Sequence, residues 1–244
     1  MTLQKSSDES SSVSDAAAWD RVWKLESHSY VSSQRDRAKS KIDATIKEGL
    51  KLEKNDRVLD LGCGTGYALI EAAEQSSSES RFIACDLSPA AVGLARTNFR
   101  DRGLAVEVLC ADAALLPLGE GSIDKILLLM TLQHVYDVGA VLREVDRVLA
   151  QGGALFVAVP SQHSIISITY SLRRLITRVP VDRRTFSLRT VTALVASRFK
   201  IEACHVSQVG PERWLSRAID QTLASIVPDW GRYIVLRCGK SIAR

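Results

Sequence analysis

From Arg57 onward, short runs rich in β-branched and aliphatic residues alternate with stretches whose apolar residues recur every three or four positions. The runs Arg57–Leu61, Arg81–Asp86, Ala105–Cys110, Ile123–Met130 and Ala154–Val159 are mostly continuous in apolar residues, which predicts strands buried on both faces. Helices are predicted between them. Ser88–Arg102 opens with a capping serine followed by proline at the first helical position and ends at Gly103. Asp137–Ala150 carries Val138, Val141, Leu142, Val145, Val148 and Leu149 along one face and stops at Gly152. Strand and helix in alternation imply βαβ crossovers, and hence a parallel sheet with helices on both sides.

After Pro160 the rhythm changes. Residues 161–180 read as an amphipathic helix with Ile165, Ile168, Leu172, Leu175 and Val179 along one side. A helix from a Ser187 cap to about Arg198 follows, then a strand at Phe199–Gln208, a helix near Arg213–Ile226 and a last strand at Tyr233–Arg237. Residues 16–50 look helical. The first fifteen residues hold six serines and neither a basic nor an apolar leader region, so they read as a disordered tail and not as a secretory signal. No linker separates two domains, and residues 16–244 are expected to fold as one.

Composition narrows the class. The chain has 244 residues, 46% of them hydrophobic and 25% charged, which excludes collagenous, disulfide-scaffold and disordered proteins. The longest aliphatic runs, Ile126–Met130 and Ala154–Val159, fall far short of the ~20 residues that cross a bilayer. Five cysteines without a C-x-x-C pair suit a reducing cytoplasm. Cys63, Cys85 and Cys110 should gather near the strand ends. Their spacing lacks a paired ligand motif, so they read as small apolar filler, and no metal is expected. A net charge of +4 is too weak to name a nucleic-acid partner.

The sharpest feature is the run from Val58 to Gly66, VLDLGCGTG, in which a strand enters a glycine loop that opens a helix. Open α/β sheets bind ligands at the carboxyl ends of their strands, and glycines let a ligand approach the backbone there. A tight strand-to-helix turn would also use glycine. Two carboxylates strengthen the binding reading. Asp86 ends the second strand 20 residues after Gly66, where ribose hydroxyls would sit. Asp112 follows the third strand, in a position suited to an adenine amino group. A dinucleotide fold accepts the Asp86 spacing but wants G-x-G-x-x-G, whereas here Tyr67 occupies the place of the third glycine.

Over residues 57–160 the chain resembles the class I S-adenosylmethionine-dependent methyltransferases, and among them the type 11-like small-molecule enzymes. The resemblance rests on the DLGCGTG loop, the acid at Asp86, Asp112-Ala113, and Gly152-Gly153 before the fifth strand. It implies a Rossmann-like α/β fold: a seven-stranded, mostly parallel sheet with helices on both faces, a helical cap at 16–50, and an insertion at 161–198 covering the acceptor. It implies S-adenosylmethionine as cofactor and S-adenosylhomocysteine as product. Asp60, Gly62, Cys63, Gly64 and Gly66 would hold the methionine end and Asp86 the ribose. Leu87 would pack on the adenine, Asp112 and Ala113 would contact it, and Met130 would line the sulfonium side.

A general base is optional in methyl transfer. His134, four residues beyond the fourth strand, is the candidate, and packing against the end of the sheet is its alternative role. Tyr30 would reach it from the cap, since some phosphobase methyltransferases pair a lid tyrosine with a histidine after strand four. Between Arg173 and Arg217 ten basic residues face three acids, a local charge of +7 that leaves −3 for the rest. Arg173 and Arg174 would favour a carboxylate or phosphate on the acceptor, although a solvated helix face would look the same. The leading expectation is O-methylation of a small anionic or amphiphilic metabolite by a cytoplasmic monomer or homodimer. The alternatives are an RNA or tRNA methyltransferase using these arginines on phosphates, and an NAD(P)-binding oxidoreductase.

Overall fold

The computed structural model describes residues 17–21, 23–24, 49–74, 79–164, 167, 184–207, 223, 226 and 229–240. Seven strands form one sheet: β1 (Arg57–Leu61), β2 (Arg81–Asp86), β3 (Val106–Cys110), β4 (Ile123–Leu129), β5 (Leu149–Pro160), β6 (Phe199–Ser207) and β7 (Tyr233–Lys240). Their order is β3-β2-β1-β4-β5-β7-β6. The first five run parallel, while β7 runs antiparallel to both β5 and β6. Four α-helices are described from end to end, α1 (Tyr67–Glu74), α2 (Pro89–Arg100), α3 (Val138–Val148) and α4 (Leu188–Ala196), and residues 17–21 and 23–24 are also helical. This is the class I methyltransferase arrangement, and its strand order reverses between β1 and β4, where open sheets bind ligands.

Strand pattern follows sheet position. The central strands are buried on both faces, as at Val58–Leu61 and Ile126–Leu129. The edge strand β6 alternates buried and exposed positions, because one of its faces meets water. Alternation splits the core in two. Leu59, Leu61, Ile126, Leu128, Leu155 and Val157 pack towards α3 and α4 on one face. Val58, Leu127, Leu129 and Phe156 pack towards α1 and α2 on the other.

Helix starts obey capping chemistry. The Ser88 hydroxyl accepts from Ala91 N, the Asp137 carboxylate from Ala140 N, and the Ser187 hydroxyl from Thr190 N. Helix α3 ends earlier than its periodicity predicts. Leu149 already has extended backbone and pairs with Ile123, so β5 begins there and not near Ala154. The predicted helix at 161–180 does not begin at 161. Ser161 forms a parallel bridge to Phe186, Gln162 N donates to Phe186 O at 2.9 Å, and Phe186 N donates to Pro160 O at 3.0 Å. Backbone pairing across the base of the insertion outcompetes the local helical pattern there. The rest of that helix and most of the one at 213–226 lie outside the described residues. Among the described residues, no helix is long and apolar enough to cross a membrane.

The turn after β3 is pinned by one side chain. Glu144 on α3 accepts from Leu116 N at 2.7 Å and from Arg147 at 2.6 and 2.8 Å, and Arg147 donates to Leu116 O at 3.2 Å. Glu144→Ala strips the buried Leu116 amide of its acceptor and is expected to cost about 1–3 kcal/mol. The urea midpoint should fall with the slope unchanged, and an unmoved midpoint would show that the bond contributes nothing.

Candidate functional site

The glycine loop folds back onto the end of β2. Gly62 N and Cys63 N both donate to Cys85 O, at 2.8 and 2.9 Å, Gly64 N donates to the Asp86 carboxylate at 2.9 Å, and Gly66 N donates to Cys63 O at 2.9 Å. These four amides are therefore committed within the protein. Glycine is needed here for close approach by side chains as well as for ligand access. A Cβ on Gly62 (φ +80) would collide with Thr131, whose hydroxyl donates to Leu61 O at 2.8 Å. A Cβ on Gly64 (φ +54) would sit 3.0 Å from the Trp23 ring. Asp60 is 2% exposed and shares the face of Val58 beneath the loop.

Asp86 is the electrostatic centre of the site. One carboxylate oxygen accepts from Gly64 N and the other from Ser88 N, each at 2.9 Å, and among the described residues no cation pairs with it. Burial pushes its pKa above the ordinary 3.8, and the amides only partly oppose that rise. A carboxylate has about four acceptor positions. Two backbone donors leave room for others.

The neighbouring cysteines are inert. Burial pushes the Cys63 thiol well up and the Cys85 thiol up to about 12, so neither is a thiolate near neutrality. Cys110 donates weakly to Leu87 O at 3.7 Å, which places half-buried Leu87 between the ends of β2 and β3. Asp112 accepts from Ala114 N at 2.8 Å and heads the turn that Glu144 fixes, while Ala113 packs against the core.

The turn after β4 forms the facing wall. Met130 has φ +60, an uncommon conformation for a side chain without local hydrogen bonds and one that costs roughly 1–3 kcal/mol. His134 ends a short 3₁₀ turn, and its ring centroid lies 4.5 Å from that of Trp19, with the planes at 71°. The helical residues 17–21 and 23–24 therefore reach the crevice. Trp19 meets His134 and Trp23 meets Gly64. Asp20 accepts from Ala90 N at 2.9 Å and from the Ser88 hydroxyl at 3.2 Å. The Lys24 ammonium beside Asp20, together with these donors, lowers its pKa. Trp19, Asp20, Trp23, Thr131 and Gln133 were not singled out from the sequence. The i,i+4 spacing of the two tryptophans on one helical face was the available signal. Tyr30, Arg173 and Arg174 lie outside the described residues.

A cavity of about 470 Å³, lined in part by Lys51, Asp56, Asp124, Lys125 and Arg237, opens at the other ends of the strands. Several of its charges are paired, Lys125 with Asp56, Asp124 with Arg57 and Arg237 with Glu202, and it lies away from the glycine loop.

The raised pKa of Asp86 sets a pH dependence. The folded state binds this proton more tightly than the unfolded chain, so its contribution to stability is full below 3.8 and is lost as pH rises through the folded value. The stability difference between the wild type and Asp86→Ala should therefore move in the variant's favour between those limits, as read by urea unfolding at stepped pH. A pH-independent difference would contradict the assignment.

Comparison with known proteins agrees with this geometry. A family profile described as a methyltransferase domain matches residues 59–157. The demethylmenaquinone methyltransferase of Thermus thermophilus is 36% identical over 109 residues, 44% of this chain and 49% of that one. The ubiquinone/menaquinone biosynthesis C-methyltransferase UbiE of Shewanella oneidensis is 32% identical over 120 residues, 48% of each chain. Here the chain spans about half the length of the curated relatives it matches. The methyltransferase solved in complex with the Haloferax volcanii Trm112 methyltransferase activator superposes with a TM-score of 0.70 at 18% identity, covering 95% of this chain and 98% of that one. Residues 59–157 therefore match a methyltransferase-domain profile, and the chain has the class I methyltransferase fold.

Proposed function

We propose that the protein moves a methyl group from S-adenosylmethionine to a small-molecule acceptor. The observation that carries this reading is Asp86, a half-buried carboxylate that pairs with no cation among the described residues and is tied to the glycine loop through Gly64 N. A neutral donor pair such as the two ribose hydroxyls suits it, because a charge-assisted hydrogen bond offsets desolvation without needing a counter-ion. In this reading Asp60, Gly62, Cys63, Gly64 and Gly66 hold the methionine end. Leu87 packs on the adenine, Asp112 and Ala113 contact it, and Met130 faces the sulfonium.

S-adenosylmethionine bound there supplies a methyl carbon already activated by the positive sulfur that carries it. The protein's part is then mainly positional. Holding two reactants in line is worth ~7–11 kcal/mol of barrier. His134, steadied by the edge of Trp19, takes the proton of the acceptor as the new bond forms. Tyr30 assists it from the cap, and Arg173 and Arg174 receive an anionic group on the acceptor. An oxygen nucleophile on an anionic or amphiphilic metabolite is the first reading. Carbon methylation of a quinone-type ring is the second, favoured by the names of two relatives.

The test is transfer of label from methyl-labelled S-adenosylmethionine to a panel of hydroxylated acids, phenols and quinols. Label in an organic product, with release of S-adenosylhomocysteine, is expected, and label in RNA alone would overturn the small-molecule reading. His134→Ala should lower turnover by ~10²- to 10⁴-fold and leave cofactor affinity unchanged. Equal turnover would remove the base.

A further inference from the structure

The geometry points to Gln133 as a positioning residue that holds Met130 in its left-handed conformation and so fixes the wall of the crevice beside β4. Met130 and Asn55 are the non-glycine residues with positive φ among those described. Asparagine tolerates that region through its own short polar side chain, whereas methionine has no such help. Something outside the residue must hold it.

Both of its backbone groups are held. Met130 N donates to Ala158 O at 2.7 Å, which continues the β4–β5 ladder by one step. Met130 O accepts from the Gln133 side-chain amide Nε2 at 2.6 Å. Gln133 is itself only 1% exposed, and its backbone O accepts from Arg184 N at 3.4 Å. Thr131 hooks the same turn to β1 through Leu61 O. The turn is therefore tied to β1, to β5 and to the base of the insertion.

The Gln133 amide is not there for general polarity. Its Oε1 is buried without a hydrogen-bonding partner among the described residues, a cost that an apolar side chain of the same length would avoid. What glutamine adds is an amide NH2 with two N–H groups, one of which is spent on Met130 O. The consequence is directional. An extended residue 130 would place its side chain on the face of Leu128, which packs into the core towards α3. The left-handed turn removes Met130 from that alternation.

The chain has two methionines, Met1 and Met130, so protein labelled with ¹³C-methyl methionine gives two methyl signals, and Met130→Leu assigns them. Gln133→Met keeps the volume, removes the donor and adds a third methyl signal, which Met130→Leu in that same background separates from that of Met130, and Gln133→Glu keeps the shape and removes the donor without adding a methyl. In protein without cofactor, both variants should shift the Met130 methyl signal. They should also lower kcat by about 10- to 100-fold, with S-adenosylmethionine affinity within about threefold. In a Met130→Gly background, where positive φ has no steric cost, Gln133→Met should lower kcat by a smaller factor. A Met130 signal unmoved in Gln133→Met overturns the proposal, as does an equal kcat loss in the two backgrounds. The kinetic arm rests on the methyl-transfer reading and the spectroscopic arm does not. A wild type that takes no S-adenosylmethionine would therefore overturn that reading and leave the methyl signal to decide this one.

Discussion

Holding a half-buried carboxylate at the mouth of a parallel sheet by backbone amides is the constraint on which the site depends. Asp86 ends β2, and its two oxygens fasten the glycine loop after β1 to the first turn of α2 through Gly64 N and Ser88 N. Partial burial of this charge works against folding and is what raises its pKa. Stability alone would favour an apolar or paired residue there. Its retention fits a ligand that brings hydroxyl donors to the carboxylate.

Around that centre the protein builds two walls by long-range contacts. One is the turn after β4, where strain at Met130 is held by Gln133 and Thr131. The other is the helical stretch near residue 20. Its tryptophans touch Gly64 and His134, and Asp20 caps the start of α2. The glycines at 62 and 64 connect the two, because each is small enough for a side chain from the opposite wall to rest on it. The motif that looks like ligand access is thus also a packing requirement. Substituting either glycine would disturb both roles.

What could be read in the sequence was what local chemistry decides. Strands β1 and β2 fall where their apolar runs lie, because a strand buried on both faces has few polar positions to blur its limits. Ser88, Asp137 and Ser187 marked helix starts through capping, which acts over three residues. Partners distant in sequence decided the rest. The early end of α3 follows from the pairing of Leu149 with Ile123, and the non-helical start of the insertion from the bridge between Ser161 and Phe186. The last strand runs on to Lys240, whose ammonium reaches Asp146 O and Leu149 O at 2.7 and 2.8 Å. The placement of Asp86 at the end of β2, against the glycine loop, was legible from its spacing to that loop. The roles of Trp19, Asp20 and Gln133 depend on where a turn or helix docks, which periodicity does not encode.

The most direct test of the account is calorimetric titration of the wild type and Asp86→Ala with S-adenosylmethionine, S-adenosylhomocysteine and NAD. The wild type should bind both sulfur nucleosides and not the dinucleotide, and Asp86→Ala should lose roughly 2–4 kcal/mol of that affinity through its missing charge-assisted bonds. Undiminished affinity in the variant, or uptake of NAD in place of the sulfur nucleosides, would contradict it.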